Sequence, residues 1–419
     1  MSFPFSTPGS LLSGPSGIGE LMDDLGRAAT SDPNMRMLGG GAPALIPEVR
    51  AVWREQMRNL LSNDGGQEFD RMLGCYDPPQ GHPRFLKAMA DFLNREYGWD
   101  LTTDHLAVVS GGQTAFFYLF NLLAGDHVNG HRRILLPLCP EYIGYANQGL
   151  SADFFRAVRP LILHHDDGTF QYRVDFEALR ITPDIAAICV SRPTNPTGNV
   201  ISDEDLARLH QMAKEANIPL IIDNAYGHPF PGAVFEPASL IWDEHVILVF
   251  SLSKLGLPGS RTSIIVARPE VARAIANMNS IVGLANNNLG RALVTPLLED
   301  SSILRLSREV IRPYYEQKSR QALTWLQESL RDVPHFIHRP GGAFFLWVWF
   351  PELKITDSEL YQRLKARKVL VVPGHYFFFG MESPWEHSRQ CLRLTISQEE
   401  WMVREAFEII AEISNSDCS

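Results

Sequence analysis

Short apolar runs and amphipathic stretches take turns along most of this chain. After Pro83, FLKAMADFLNREYGW sets Phe85, Leu86, Met89, Phe92 and Leu93 at helical spacing. HLAVVS (105–110) predicts a short apolar strand that runs through GGQT into AFFYLFNLLAG, a mostly apolar helix. RRILLPLCPEY predicts a strand leaving into a loop, and IAAICVSRPTNPTGN a strand closing on a Pro-rich turn. SDEDLARLHQMAKEANIP has the ends of a helix. Ser202 can cap it, Asp203, Glu204 and Asp205 suit its positive N-terminus, and Asn217 and Pro219 stop it. PLIIDNAYG, HVILVFSLSK and TSIIVA supply three more strands.

This alternation predicts an α/β fold, a mostly parallel central sheet covered by helices on both faces. In such sheets chemistry gathers at the carboxyl ends of the strands. Most of these strands end in a polar cluster: SGGQT, CPEY, SRPTNP, DNAY and SLSK. Residues 1–47, rich in Gly, Pro and Ser, read as an irregular N-terminal arm ending in LGGGAPALIP and joining the small domain. Residues 48–300 form the large α/β unit. Beyond about residue 300 the texture changes to a helical stretch, a Gly-Gly turn into HRPGGAFFLWVWF, the helix SELYQRLKARK, the strand VLVVPG, CLRLTIS and a last helix. Residues 301–419 therefore read as a smaller α+β C-terminal domain.

Length and composition fit this picture. The 419 residues exceed one ordinary core, and 45% hydrophobic with 21% charged residues is a normal globular balance. The formal net charge is -10, and no Lys/Arg cluster offers a nucleic-acid surface. The five cysteines are odd in number and include no C-x-x-C, which points to reduced thiols. The N-terminus lacks a signal-peptide pattern, and the most apolar run, Ala343 to Phe350, is too short to span a bilayer. A cytoplasmic protein with no membrane, nucleic-acid or metal partner is expected.

The candidate chemistry starts at SLSKLGLPGSR (251–261). Lys254 follows a strand, and a lysine of lowered proton affinity can form an imine with an aldehyde. Ser251, Ser253 and Arg261 can donate to a phosphate. The same residues fit S-x-x-K of penicillin-recognising hydrolases, but no S-D-N or K-T-G accompanies them. Asp223 ends an apolar strand, where a protonated pyridine nitrogen would partner it and act as an electron sink. Tyr226 and Asn195 can reach that ring's 3-oxygen. Gly111, Gly112, Gln113 and Thr114 open a helix whose N–H groups can seat a phosphate. Tyr142 can stack on an aromatic ring. Arg393, a lone cation in an apolar strand, wants a carboxylate, either of a substrate or of a structural ion pair.

Taken in order, GGGAP, YDPPQG, SGGQT, PEYIGY, SRPTNPTGN, DNAYG, SLSKLGLPGSR and LRLTIS resemble the fold-type I pyridoxal 5'-phosphate (PLP) enzymes, specifically the class I/II aminotransferases. The likeness runs from about residue 37 to 396. It implies that Lys254 is the imine lysine and proton shuttle, Asp223 the pyridinium partner, Asn195 and Tyr226 the ring-oxygen donors, and Tyr142 the stacking ring. It further implies a phosphate cup of Gly112, Gln113, Ser251, Ser253 and Arg261, with Gly111 and Thr114 beside it. Gly41, Asn195 and Arg393 match the substrate-carboxylate site. Tyr76 matches a tyrosine that reaches the phosphate of the neighbouring subunit, which implies a homodimer. Two departures stand out. Only seven positions separate Lys254 from Arg261, where many members have eight, and Gly112 replaces a hydroxyl or lysine residue, shifting weight to Gln113 and Thr114.

Within the family, SRPTNPTGNV, YQRLKAR with VPGH, and FFLWVWF resemble members that exchange amino groups between valine or alanine and pyruvate or 2-oxoisovalerate. No second arginine for a dicarboxylate is evident. Alternatives are transfer from other neutral or aromatic amino acids, or a PLP-dependent C–S lyase or decarboxylase on the same fold.

Overall fold

The computed structural model describes residues 3–31 and 34–418; positions 1, 2, 32 and 33 of the expected arm, and 419, lie outside the described residues. The central sheet is built from β2 (Leu106–Val109), β3 (Gly125–His127), β4 (Gly130–Leu136), β5 (Phe155–Ala157), β8 (Ile185–Ser191), β9 (Leu220–Asp223), β10 (Val246–Ser251) and β11 (Ser263–Val266). Their order is β2-β11-β10-β9-β8-β4-β3, with β5 on β4, and β11 and β3 run against the rest. This is the mostly parallel α/β sheet the pattern predicts.

Strand periodicity places the cores. Successive side chains of a strand point to opposite faces. Ile188, Val190, Leu220, Ile222, Leu248 and Phe250 enter one hydrophobic cluster, whereas Cys189, Ile221, Ile247 and Val249 enter another across the sheet. Both faces are thus dry, and the polar ends of the strands are left as the place for chemistry. The helix after β8, Asp203–Glu215, begins where expected: the Ser202 hydroxyl accepts from the Asp205 N–H at 3.1 Å.

A second sheet has the order β15-β16-β13-β12-β7-β6. Its strands β12 (Phe336–His338), β13 (Phe345–Trp349), β15 (Val372–Pro373) and β16 (Cys391–Thr395) come from the C-terminal part, while β6 (Leu161–His164) and β7 (Thr169–Arg173) cross over from the middle of the chain. Parallel pairing of β7 with β12 ties this middle segment to the C-terminal strands within the one sheet.

The N-terminal segment corrects the sequence reading. It is not irregular: α1 (Thr7–Ser13) and α2 (Gly17–Ser31) are helices. Gly17, Gly19 and Gly26 disguise α2, because glycine is a poor helix former, yet Ile18, Leu21, Met22 and Leu25 fall at the spacing of one helical face. The polar face is anchored by Lys365 and Tyr361 on Asp24, at 2.7 and 2.5 Å, and by Tyr376 on Glu20 at 2.5 Å. Next, β1 (Arg36–Met37) pairs in parallel with β14 (Val369–Leu370).

Candidate active site

A cavity of about 600 Å³ opens at the carboxyl ends of β8, β9 and β10. Lys254 sits in the turn after β10. Its Nζ donates to the Gly41 carbonyl at 2.7 Å and lies 5.3 Å from the Tyr226 ring. Burial, then Arg393, lower its proton affinity to about 8, while Asp223 pulls the other way.

Asp223 ends β9. Its Oδ1 accepts the Ala225 N–H at 3.0 Å and its Oδ2 the Tyr145 hydroxyl at 2.5 Å. Burial raises its carboxyl above the usual range, and the Tyr145 hydrogen bond opposes that. Tyr142 stands edge-on to Tyr145, with ring centroids 5.2 Å apart.

Arg393 on β16 is 2% exposed. It donates from Nη1 to Asn195 Oδ1 at 2.9 Å and from Nη2 to the Gly39 carbonyl at 2.6 Å, and it covers the Phe345 ring at 4.5 Å. Its buried Nε has no hydrogen-bond partner, and among the described residues no carboxylate lies within ion-pair distance. Burial lowers even this guanidinium to about 10. The structural ion pair left open by the sequence is therefore absent among these residues, and the group faces a cavity.

At the opposite end, Gly112 opens the helix Gly112–Leu123, and Gly112, Gln113, Ser251, Ser253 and Arg261 all line the cavity. Gly111 has φ 94° and presses on Arg261: a Cβ there would fall 2.2 Å from its Nη2. Only glycine lets the guanidinium lie against that helix start. The buried Oε1 of Gln113 has no partner.

Of the residues singled out in the sequence, Gly41, Gly112, Gln113, Tyr142, Asn195, Asp223, Tyr226, Ser251, Ser253, Lys254, Arg261 and Arg393 line this one cavity. Gly111 backs it. Thr114 does not reach it, since its hydroxyl donates to the Ser110 carbonyl at 3.2 Å. Tyr76 stands apart on the surface, 81% exposed.

Sequence reasoning missed several residues. Tyr145, three positions after Tyr142 in PEYIGY, reaches Asp223. Glu141 is buried against Ser191, which itself lines the cavity. The apolar face of α2, Ile18, Leu21, Met22 and Leu25, forms one wall, and Leu21 touches the Gly39 position, where a Cβ would sit 3.3 Å from its Cδ1. Helical spacing in GIGELMDDLG was the available signal for the last set.

Among the described residues, no helix is long and apolar enough to cross a membrane, and no group of three or more His, Cys, Asp or Glu side chains is placed to hold a metal.

Comparison with known proteins matches this arrangement. Residues 48–410 match the family model of aminotransferase class I and II. The chain belongs to that family, and it is a transaminase that works with PLP. It is 45% identical, over 97% of its length and 97% of the relative, to a valine–pyruvate aminotransferase of Escherichia coli (strain K12). A solved valine–pyruvate aminotransferase of Salmonella typhimurium LT2 superposes with a TM-score of 0.87 at 45% identity, covering 94% of this chain and 98% of that one. An aspartate aminotransferase of Thermus thermophilus, 22% identical, shares the fold with a TM-score of 0.78 over 98% of this chain and all of its own.

The residues present fit PLP. An amine of lowered proton affinity, a fixed carboxylate, an aromatic face, two serine hydroxyls, a helix start and a guanidinium surround a single space.

Proposed function

We propose that this transaminase exchanges the amino group of a neutral apolar amino acid, valine or alanine, with a 2-oxo acid, pyruvate or 2-oxoisovalerate. The observation that carries this is the pairing of one carboxylate grip with an apolar wall. The cations lining the cavity are Lys254, Arg261 and Arg393. Each has a task in this reading, so among the described residues of this chain a second carboxylate on the substrate side chain would find no cation. Leu21 and its neighbours on α2 stand beside Gly39, hence beside Arg393, where that side chain would lie. The two valine–pyruvate aminotransferases similar to this chain add support.

Bound PLP supplies an electron sink for the substrate's Cα carbanion charge. Lys254 would hold the cofactor through its amine, and once freed by substrate that amine would be the base that takes and returns the Cα proton. An amine titrating near 8 is partly neutral at working pH, as a base must be. Asp223 would face the ring nitrogen, and its hydrogen bonds from Tyr145 and Ala225 favour the carboxylate. Tyr142 would cover the ring face, and Asn195 and Tyr226 would serve the ring oxygen. Arg393, Asn195 and Gly41 hold the substrate carboxylate. Gly112, Gln113, Ser251, Ser253 and Arg261 form the phosphate seat. Gly111 clears room for Arg261.

The exposed Tyr76 suits a homodimer in which it reaches the neighbour's phosphate. All five cysteines are free, in keeping with a cytoplasmic setting. The division at residues 47 and 300 into arm, large unit and small unit belongs to the same reading, with β6 and β7 lent by the large unit to the second sheet.

A half-reaction screen tests the substrate class. The holoenzyme is mixed with single amino acids and the absorbance of the lysine-bound cofactor is followed. Valine and alanine should discharge it at least about tenfold faster than aspartate or glutamate, and pyruvate should restore it. Faster discharge by dicarboxylates, or product release that needs no 2-oxo acid, would overturn the reading.

A further inference from the structure

Glu141 is 1% exposed and takes no part in the transfer described above. It lies in the loop between β4 and Tyr142. Its Oε1 accepts the Ser191 N–H at 2.9 Å; its Oε2 accepts the Ser191 hydroxyl at 2.6 Å and the Tyr142 N–H at 3.1 Å. Its own N–H donates to the Phe377 carbonyl at 3.0 Å. One buried carboxylate thus ties down two residues of the cavity wall.

Its place relative to Asp223 follows from strand register. Ser191 ends β8 opposite Asp223 on β9, and adjacent strands lie about 4.8 Å apart. The titratable groups facing Glu141 are Asp223 from β9, Cys189 from β8, and Cys139, Tyr142 and Tyr145 from its own loop. Among the described residues no Lys, Arg or His is within ion-pair distance. Burial pushes its carboxyl up to about 8 against the donors from Ser191 and Tyr142, and Asp223 adds to the push. Three donors on two oxygens suit the ionised form. The protonated form would have to donate to the Ser191 oxygen, turning that hydroxyl's hydrogen away from Glu141.

We propose that Glu141 is a positioning residue for the cofactor: it fixes Ser191 and Tyr142 beside the ring, and its negative charge acts with that of Asp223 to hold the ring nitrogen protonated. The counter-charge that the loop lacks is then the ring's own cation, which would draw the raised Glu141 carboxyl back into its ionised form. This rests on the reading that Asp223 faces that nitrogen.

The test uses holoenzymes carrying Glu141→Gln, which keeps the shape and one acceptor but removes the charge, and Glu141→Ala. Each is titrated across the neutral range by the absorbance of the lysine-bound cofactor, a link that also faces Arg393, Arg261 and Asp223. Cofactor retention after dialysis and steady-state kinetics with alanine are measured alongside. Removing a nearby negative charge disfavours cationic forms, so Glu141→Gln should keep its cofactor and lower the titration midpoint by about half to one pH unit. Its kcat should fall several-fold, with KM for alanine changed less than about twofold. Glu141→Ala should also loosen the cofactor about tenfold. An unmoved midpoint in cofactor-loaded Glu141→Gln overturns the proposal, whether or not Glu141→Ala folds. Absence of lysine-bound absorbance from the unaltered protein would instead remove the cofactor placement, and this inference with it.

Discussion

The hydroxyl of Tyr145 donates to Oδ2 of Asp223 at 2.5 Å, joining the loop after β4 to the carboxyl end of β9. Tyr145 is fully buried, and its ring packs on Phe116 at 4.6 Å and edge-on to Phe120 at 5.2 Å. The phenol is therefore locked, and Asp223 cannot turn away without leaving that donor buried and unpaired. Burial alone would favour the neutral acid at 223; Tyr145 favours the carboxylate that a ring cation needs.

Tyr145→Phe keeps the aromatic packing and deletes the donor. Cofactor affinity should fall about tenfold, the usual cost of a lost hydrogen bond to a charged group, with the folded state retained. Equilibrium dialysis of the cofactor measures this. Unchanged affinity would mean that Asp223 does not depend on the phenol.

Arg393→Ala should raise KM for both amino acid and 2-oxo acid by about tenfold to a hundredfold while leaving bound cofactor in place. The guanidinium has no carboxylate of its own among the described residues, so its role as substrate clamp requires an effect on both half-reactions. Steady-state kinetics with each substrate varied in turn decides it; unchanged KM for both would count against the clamp.

Lys254 makes a stability prediction with a definite sign. The folded amine titrates near 8, whereas an unfolded lysine titrates near 10.5. Between these values the unfolded chain holds a proton that the folded chain lacks, so stability rises with pH across the window, and below it the penalty is complete. With the cofactor removed from both proteins, Lys254→Met should be more stable than the parent at neutral pH, on the order of 1–3 kcal/mol. The gap should close as pH climbs through the window. Urea unfolding at neutral and at alkaline pH checks this, and a gap independent of pH would refute it.

Leu21→Ala opens the apolar wall next to Gly39. KM for valine should rise by about tenfold, and KM for alanine, whose methyl reaches less far, by clearly less. Equal changes for both would place the substrate side chain elsewhere.

The sheet and most of the cavity lining were legible in the sequence because both rest on local patterns. Lys254, Asp223 and the helix start at Gly112 each follow an apolar strand directly, so the carboxyl-end rule locates them without knowing the pairing. Arg393 was visible as a charge inside an apolar strand. What stayed hidden depends on contacts distant in sequence. Tyr145 and Glu141 are ordinary loop residues until β8 and β9 come to rest beside them. β6 and β7 are short and partly exposed, and only their pairing with β12 assigns them to the second sheet. α2 was obscured by its glycines: propensity argued against a helix, and tertiary anchoring through Asp24 and Glu20 overrode it. Thr114 was credited with a side-chain role that its helix claims through the Ser110 carbonyl.

Covalent attachment at Lys254 is most directly tested by reducing the holoenzyme with borohydride and mapping the labelled peptide. The label should sit on Lys254 in the segment 251–261, and Lys254→Ala should take up none and lose nearly all turnover. A label on another lysine, or near-parental turnover in Lys254→Ala, would contradict it.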